Sequence, residues 1–483
     1  MRWLALALLL PSLAQASGYY YSDSGIVATG RGGAWVAGAD TQFAQYHNPA
    51  GLIRIDQATF NIGWSGVTQN AQWRQQGLCA DQLLPGDIAS CANGNATFFY
   101  PEAENGAPPF NVPQLGFVAP VADNLVLAIG FISPYAPSSE WDADGPQRYT
   151  IIDSSIYKFG IGPSAAWQPI KQVTFGAGFQ WSYLSLGRSL NLTMNGLDDP
   201  GGDIFVNVSA KDSFTPSWNV GLLIEPTEDI SFGFAATPPT AYDAKGEIEV
   251  DFAGNALESE FEPLRYSGDA RLAIDLPLIL RAGVAIRPIS RLEVEFAWVW
   301  QQWSSLDEIR ITDVDMTVGF TDSSFLNDFI PEEDRRITGP FNLPAGLKDG
   351  GSYRFGAEYR FNDAFEGRAG TFYEPSAVPE ELVTVSLVDA PKWQVGGGGS
   401  VWIPNTSIRF DMAFAWIFLQ DLQIRNSEVR QVTAGVFDCG DDDNITGAAC
   451  SKNAAIIGNG DVSSSGWIVG LQAQYAFGPK KEK

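Results

Sequence analysis

Residues 292–300, LEVEFAWVW, alternate between two kinds of side chain. Every second position, from Leu292 to Trp300, is large and apolar, whereas Glu293, Glu295 and two smaller apolar residues lie between them. A period of two is that of a β-strand, whose successive side chains point to opposite faces. The stretch therefore predicts a strand with one bulky apolar face and one partly ionic face.

The same alternation recurs along the chain. It is found in SIYKFGIGPSAAW (155–167), VTFGAGFQWSY (173–183), SYRFGAEYRF (352–361), SIRFDMAFAW (407–416) and GWIVGLQAQYAF (466–477). About ten residues is the length of a strand that crosses a bilayer at a tilt, whereas strands of soluble proteins usually have about five or six. A soluble barrel keeps its apolar residues inside, but here the opposite face holds small and charged residues. The pattern favours a transmembrane barrel over a soluble all-β protein.

Short and long connections alternate between these segments, as in outer-membrane barrels. The short ones lie at 122–124, 169–172, 226–229, 288–290, 361–363 and 403–405, and the long polar ones lie near 74–111, 136–153, 188–203, 243–266, 307–350, 376–390 and 424–463. Six short and seven long connections join 14 strands. The predicted fold is an all-β, 14-stranded antiparallel transmembrane barrel over residues 59–477, with both ends on the periplasmic side.

The ends of the chain carry separate signals. Arg2, the apolar run 3–10 and Ala14-Gln15-Ala16 have the order of a secretory signal peptide, so residues 1–16 are predicted to be removed. The apolar run is too short to span a bilayer, and no later run of 18 apolar residues predicts a membrane helix. The alternation stops at Phe477, which leaves residues 478–483 as a predicted tail.

The net charge limits the possible partners, and the cysteines indicate the compartment. A formal net charge of −26 argues against nucleic acid, because little could neutralise its phosphates. The four cysteines form two close pairs in the sequence, and an exported chain normally oxidises such pairs. Three pairings are possible, and the short loops favour Cys79–Cys91 in the first outer loop and Cys439–Cys450 in the last.

Three segments, in this order along the chain, carry a resemblance to a known family. They are GYYYSDSGIVATGRGGAWVAGADTQFAQYHNPAGL (18–52), LPLILRAGVAIRP with LEVEFAWVWQQWSSLDEI (276–288 and 292–309), and RAGTFYEPSAVPEELVTVSLVDAPKW (368–393). Together they resemble the FadL-type outer-membrane transporters of long-chain fatty acids and other hydrophobic compounds, the toluene-uptake relatives included. The resemblance implies that residues 17–58 form a hatch that plugs the lumen, with Asn48, Pro49, Ala50 and Gly51 as its motif.

The resemblance also implies a route. An amphiphile is caught among the outer loops, enters a pocket beside the hatch and leaves sideways through a gap at a kinked third strand. Here that strand contains LVLAIGFISPYAPSSEW (125–141), in which Pro134 has no N–H to donate and Gly130 has no side chain to pack. The residues expected at the opening are Gly130, Ile132, Ser133, Pro134 and Tyr135. The alternative puts Pro134 at the outer end of the strand, where it breaks nothing.

A fatty acid needs a cation for its carboxylate. The alternation places five basic residues on the lumen face, and a sixth lies in the hatch: Lys158, Arg281, Arg354, Arg360, Arg368 and Arg31. Glutamate and aspartate share the lumen face, so a ladder of ion pairs is the alternative use of these cations. The sequence does not choose among the six.

Other motifs predict no enzymatic chemistry. His47 is the only histidine, which makes a Ser–His hydrolase or a histidine metal cluster improbable. GGGGS (396–400) lacks the Lys-Ser/Thr ending of a phosphate loop and fits a strand that faces bulky lumen contents. The acidic segment 438–447 leaves calcium binding open, although it lacks the spacing of an EF-hand loop.

The prediction is a non-enzymatic outer-membrane protein for passive uptake, without a cofactor or metal. The expected partners are a long-chain fatty acid or another hydrophobic small molecule, outer-membrane lipids and lipopolysaccharide, and the barrel-assembly machinery. We expect a monomer. Aromatic or aliphatic hydrocarbons are the alternative substrates, and a plugged structural barrel or surface receptor is the alternative class.

Overall fold

The computed structural model describes residues 25–478 except 83–87, 136–137, 195–197, 307, 329, 333–334, 339–340, 345, 387 and 432–454. Fourteen strands form the wall of a barrel. Their bounds are β1 (Ala58–Val67 and Asn70–Leu78), β2 (Phe110–Ala122), β3 (Leu125–Tyr135), β4 (Asp153–Ile170), β5 (Val173–Thr193), β6 (Asp203–Thr227), β7 (Ile230–Thr237 and Thr240–Asp251), β8 (Arg265–Leu276 and Ile279–Ile289), β9 (Leu292–Gln301 and Glu308–Thr312), β10 (Phe341–Pro344 and Gly350–Arg360), β11 (Phe365–Glu374), β12 (Lys392–Trp402), β13 (Ile408–Leu419 and Leu422–Ile424) and β14 (Gly460–Phe477).

Each strand pairs antiparallel with the next one in the chain. The last strand returns to the first, and the β1–β14 ladder runs from Ala58 opposite Phe477 to Gln75 opposite Gly460, which closes the barrel. The six predicted short turns each join consecutive strands, β2–β3, β4–β5, β6–β7, β8–β9, β10–β11 and β12–β13. The predicted fold class and strand number are confirmed.

The outer surface of the wall is apolar. Phe355, Phe414 and Trp218 are each about half exposed in the isolated chain (49%, 54% and 52%), and their neighbours on the same face are also large and apolar. Water would not tolerate a continuous apolar band of this kind, whereas lipid would. Among the described residues, no helix has the length and apolar character needed to cross a membrane.

Two predicted long connections are shorter than expected. β5 continues to Thr193 and β6 begins at Asp203, where the sequence predicted a loop over 188–203; β7 and β8 likewise extend into the predicted loop 243–266. The predicted boundaries were wrong because these extensions rise above the apolar band. There the outward residues become polar, as at Lys211 and Glu247, while the backbone ladder continues.

The inward face of these extensions is apolar. It forms what we call the lumen cluster, a set of buried side chains in the outer half of the barrel that is continuous with buried residues of the outer loops. Its members include Ile132, Leu184, Val206, Val208, Tyr242, Ile248, Val250, Leu272, Ile274, Leu276 and Ile279 from the wall and Trp141, Ile151, Phe252, Trp303, Val378 and Val383 from the loops. The expectation that the lumen face is small or charged therefore holds only for the periplasmic half.

The periplasmic half of the lumen is filled by residues 25–57, here called the N-terminal segment. It contains α1 (Ile26–Gly30), α2 (Ala44–His47) and a 3-10 helix (Pro49–Arg54). Its apolar side chains, such as Ala28 and Leu52, pack with Val118 and Ala166 of the wall. These helices are too short to be stable in water, so the burial against the wall must stabilise them.

Glycines on the lumen face bring the wall and the N-terminal segment together. A Cβ at Gly370 would lie 2.1 Å from the backbone of Arg31, and one at Gly396 would lie 2.5 Å from the carbonyl oxygen of Thr29. At Gly397, which faces the other way, the nearest atom would be 3.7 Å away. The N-terminal segment therefore requires a glycine at the lumen position 396 of β12.

The described parts of the connections carry short elements. They comprise α3 (Ala89–Ala92), 3-10 turns at Cys79–Asp81, Pro146–Tyr149, Pro200–Gly202, Glu258–Glu260, Trp303–Ser305, Phe325–Asp328 and Glu380–Leu382, and strands at Thr97–Phe99, Ala103–Glu104, Ser138–Glu140, Asp315–Thr317 and Arg336–Thr338. Cys79 and Cys91 form a disulfide in the first of these connections, as predicted. Cys439 and Cys450 lie outside the described residues, as does the acidic segment 438–447.

Candidate functional site

The predicted motif at residues 48–51 lies at the start of the 3-10 helix. The Asn48 side chain accepts a hydrogen bond from the Ala50 N–H (3.2 Å), which caps the helix. It also donates to the carbonyl oxygens of Val36 (2.9 Å) and of Leu222 in β6 (3.2 Å). One amide thus fixes the turn, a distant part of the same segment and the barrel wall.

Arg31 lies in a group of carboxylates. Its guanidinium donates to Glu293 (2.9 Å) and Glu295 (3.4 Å) of β9 and lies 3.7 Å from Glu358 of β10. Glu295 also accepts hydrogen bonds from three successive backbone N–H groups, those of Val36, Ala37 and Gly38, at 2.6–2.8 Å. These contacts bind the N-terminal segment to the wall. The alternation in LEVEF predicted Glu295 as a lumen-facing acid that could neutralise a cation, but not its hydrogen bonds to the backbone of the N-terminal segment.

Arg368 and Arg360 are also accounted for by neighbours in the wall. Arg368 is paired with Glu358 (2.7 Å), with Glu366 and with Asp411 (3.6 Å). Arg360, at the periplasmic end of β10, is exposed and lies 5.2 Å from the centre of the Trp402 ring. Of the six sequence candidates, Arg31 and Arg368 therefore take part in the ion-pair ladder, and Arg360 lies outside the lumen cluster.

Arg354 lies on the same wall as these ion pairs. Its Nε donates to the Ser352 hydroxyl (2.7 Å), and its guanidinium lies 5.1 Å from the centre of the Phe372 ring. It is nearly fully buried. Arg281 of β8 pairs with Val299 of β9, and Val299 pairs with Ser352 of β10. Arg354 therefore lies two residues closer to the periplasm than the row that contains Arg281.

Lys158 and Arg281 differ from the other cations in their surroundings. Lys158 of β4 lies 5.9 Å from the centre of the Tyr242 ring, and Arg281 of β8 lies 4.8 Å from that of Tyr46. Both are buried, and each lies against an aromatic ring that belongs to the lumen cluster. Arg281 also donates to the hydroxyl of Thr237 (3.1 Å). Two cations therefore lie at the edge of one apolar cluster.

The N-terminal segment supplies the floor beneath this pair of cations. Tyr46 belongs to the lumen cluster, and its ring makes an edge contact with His47 at 5.0 Å between ring centres. His47 also contacts Trp35 edge-on at 5.4 Å and is almost fully buried. The single histidine is thus packed among aromatic rings at the boundary between the segment and the cluster.

The ladder between β2 and β3 stops partway along both strands. Pairing runs from Ala122 opposite Leu125 to Leu115 opposite Phe131, and the described residues beyond it, 110–114 of β2 and 132–135 of β3, are not paired with each other. On the other side, β3 keeps its ladder with β4 but shifts register between Ile132 and Tyr135. The break contains Pro113 and Pro134, neither of which has an N–H to donate.

The residues predicted at the lateral opening all lie at this break or next to it. Gly130 is the last glycine before it, opposite Gly116, and a Cβ there would collide with the Gln45 side chain. Ile132, Ser133 and Pro134 are buried, and the Ser133 hydroxyl donates to the carbonyl oxygen of Lys158 (2.9 Å). Tyr135 resumes the ladder opposite Lys158. The break is therefore one residue away from a head-group candidate.

The outer loops form a polar clasp above the lumen cluster. Arg148 pairs with Asp198 (2.8 Å) and Asp203 (2.6 Å), and the Tyr149 hydroxyl donates to Asp203 (2.7 Å). Burial raises the pKa of the Asp198 carboxyl to about 6. The clasp ties the β3–β4 connection to the β5–β6 connection, next to the apolar residues that continue the cluster outward.

Comparison with known proteins agrees with this geometry. The family described as outer membrane protein transport protein (OMPP1/FadL/TodX) matches residues 7–477, almost the whole chain. This chain belongs to that family. It is consequently an outer-membrane protein of a family that transports hydrophobic compounds and is not an enzyme family, as the sequence predicted.

Relatives and solved structures of OMPP1/FadL/TodX proteins are distant in sequence. The long-chain fatty acid transport protein of Escherichia coli O6:H1 is 21% identical over 79% of this chain and 82% of its own length. Outer membrane protein P1 of Haemophilus influenzae is 22% identical over 89% of this chain and 92% of its own. A Pseudomonas aeruginosa FadL homologue superposes with a TM-score of 0.70 at 17% identity, covering 96% of this chain and all (100%) of that one. The Ralstonia pickettii toluene transporter TbuX gives 0.64 at 16%, covering 95% and 99%.

Proposed function

We propose that this protein takes up long-chain fatty acids or similar anionic amphiphiles passively across the outer membrane. The observation that carries the proposal is the pair Lys158 and Arg281. Both cations are buried at the edge of the lumen cluster, where they offer charged hydrogen-bond donors to a carboxylate and the cluster offers apolar partners to an alkyl chain. A buried apolar site with a few convergent polar groups is the usual form of a small-molecule site.

The route into this site follows the buried apolar residues. The lumen cluster is continuous from the loop residues Trp141 and Phe252 to Tyr46 at its floor. An alkyl chain can therefore move along the cluster from one apolar contact to the next without entering water. Each CH₂ group that stays buried stabilises the bound chain by about 0.8 kcal/mol. The N-terminal segment blocks the straight path, and we assign this plug role to the hatch, residues 17–58, of which residues 17–24 lie outside the described part of the chain.

The exit follows from the break between β2 and β3. Backbone hydrogen bonds hold a barrel wall closed in lipid, and at this break they are replaced by side-chain contacts. The break lies beside Lys158, so a ligand that leaves the cation pair can reach it directly. We propose that the ligand leaves sideways here, past Ile132, Ser133 and Pro134.

A second substrate class has a specific observation in its favour. TbuX, one of the structures this chain resembles, is a toluene transporter, and aromatic rings line the wall at the β2–β3 break. A neutral hydrocarbon would use the lumen cluster without the cations. The two classes therefore differ in whether Lys158 and Arg281 matter.

Binding to purified protein tests the proposal. The variants Lys158→Met and Arg281→Met should each weaken oleate binding by about tenfold or more, because a hydrogen bond to a charged group contributes about 1.5–3 kcal/mol. Arg360→Met, which removes an exposed cation outside the cluster, is the matched control. Toluene binding should be unchanged in all three variants. If oleate affinity is the same in the wild type and in both cluster variants, the cation pair is not the head-group site.

A further inference from the structure

The β6–β7 ladder has a break of its own. Pairing runs from Thr227 opposite Ile230 up to Val220 opposite Ala236, and resumes at Lys211 opposite Lys245. Between these points, residues 212–219 of β6 and 237–244 of β7, all of them described, are not paired with each other. Each strand is still held on its far side: β6 pairs with β5 from Thr215 to Asn219, and β7 pairs with β8 from Thr240 onward.

Prolines mark this break, as they mark the one between β2 and β3. Pro216 lies in the unpaired part of β6, and Pro238 and Pro239 separate the two halves of β7. An unsatisfied N–H in lipid costs several kcal/mol, and proline has none. These residues therefore lower the cost of leaving the strands unpaired. At the outer end of the break, the Asp212 carboxylate accepts hydrogen bonds from the backbone N–H groups of Phe214 (3.0 Å) and Asp243 (3.1 Å) in place of the ladder.

One row of opposed residues connects the two breaks. Tyr135 of β3 is opposite Lys158 of β4, Lys158 is opposite Leu184 of β5, and Leu184 is opposite Asp212 of β6. The strands β3 to β6 thus form one hydrogen-bonded panel, whose edges toward β2 and toward β7 are each interrupted. Lys158 lies on this panel, between the two breaks.

The β6–β7 break joins lipid to the lumen cluster. On its outer side Phe214 and Trp218 are exposed, and Phe214 contacts Trp181 edge-on with 4.5 Å between ring centres. On its inner side lies Tyr242, a buried member of the cluster whose ring is 5.9 Å from the Lys158 Nζ atom. Side-chain packing and the hydrogen bond between Asp243 and Asp212 take the place of the backbone ladder here.

We infer that the β6–β7 break is a second lateral opening, through which the apolar chain of an amphiphile held at Lys158 reaches the outer leaflet. With two openings beside one cation, the head group can stay bound while the chain lies toward either break. The inference rests on the proposed function only in taking an alkyl carboxylate as the ligand of the lumen cluster.

Photolabelling of the reconstituted full-length protein tests this opening. The probe is an alkyl carboxylate with a diazirine on its terminal carbon, and adducts are mapped by mass spectrometry. We expect adducts on Phe214 and Tyr242 to exceed, several-fold, those on the lipid-facing residues Phe355 and Phe414. Excess unlabelled oleate should abolish the difference.

The outcomes separate this inference from the proposed function. One outcome is that Leu184 and Ile274 in the cluster are labelled, while Phe214 and Tyr242 carry no more adducts than the lipid-facing residues. That outcome would overturn the second opening and leave the proposed function standing. Labelling of neither the cluster nor the break would overturn both. Adducts on Phe131, on the lipid face at the β2–β3 break, report on that exit independently.

A variant supplies a second measurement. Pro238→Val with Pro239→Thr restores two backbone donors, which should let β6 and β7 pair and should remove the excess labelling at Phe214. Pro163→Val, in a paired part of β4, is the matched control and should keep the wild-type labelling pattern. Folding of each variant is checked by the heat-dependent gel shift of an intact barrel. Unchanged labelling of Phe214 in the folded double variant would count against the opening.

Discussion

Phe110 of β2 and Tyr157 of β4 place their ring centres 5.4 Å apart, although β3 lies between the two strands in the barrel. Phe110 has the parity of the lumen-facing residues Val112 and Gln114, whereas Tyr157 has the parity of the lipid-facing Ile161. The contact therefore passes through the wall where β2 and β3 are unpaired. Phe159 continues it along the lipid face, stacked on Phe131 at 5.1 Å.

Removing these rings should speed release through the break. An aromatic pair contributes about 0.5–1.5 kcal/mol beyond its area, so Phe110→Ala with Tyr157→Ala should raise the uptake rate of labelled oleate by up to about tenfold. Uptake is measured in cells that express equal amounts of protein. Phe355→Ala, a lipid-facing change in a paired strand, serves as the control. A rate no different from that of the control would mean that the rings do not limit exit.

Covalent closure of the break should stop uptake. Continuing the β2–β3 register places position 113 opposite position 133, so the double variant Pro113→Cys and Ser133→Cys should form a crosslink across the unpaired region. We expect uptake to fall when the disulfide is oxidised and to recover on reduction. The pair Phe117→Cys and Ile129→Cys, in the paired part of the same strands, is the control. Full uptake by the oxidised 113–133 variant would argue against a β2–β3 exit.

Loss of Arg31 should loosen the N-terminal segment. Arg31→Met leaves Glu293 and Glu295 buried beside each other without their shared cation, and breaking a buried ion pair costs about 3–5 kcal/mol. The temperature of thermal unfolding should fall, and small polar solutes should leak through reconstituted barrels. Arg265→Met removes a 70% exposed cation that pairs with Asp251 and should cost at most about 1 kcal/mol. Equal unfolding temperatures for the two variants would contradict the anchoring role of Arg31.

A side chain at Gly396 should displace the N-terminal segment. Gly396→Val would press a Cβ against the backbone of Thr29, whereas Gly397→Val meets no atom closer than 3.7 Å. Limited proteolysis of the intact barrel should therefore release residues near 25–57 in the first variant and not in the second. The same cleavage pattern in both variants would show that the segment does not depend on the small lumen face of β12.

Much of the fold could be predicted from the sequence because the bilayer imposes a simple rule on each strand. Lipid requires an apolar outward face in every membrane-crossing segment, so LEVEFAWVW and its counterparts reveal strands without any knowledge of their neighbours. The rule fails above the bilayer, where Lys211 and Glu247 face water, and there the predicted ends of β5 to β8 were wrong. The proline at position 134 also pointed to the unpaired part of β3, because a missing N–H is a local property.

The sequence by itself thus determined the membrane barrel, its strand number, the disulfide between Cys79 and Cys91 and a list of inward-facing cations. Only the tertiary structure decided how those cations are used, because ion pairing depends on residues hundreds of positions apart, such as Arg31 with Glu293 and Glu295. It also decided that Lys158 and Arg281 meet at one apolar cluster and that β6 and β7 separate beside them. The alternation along a strand determines whether a side chain faces the lumen or the lipid. The pairing of strands around the closed barrel determines which lumen-facing side chains become neighbours.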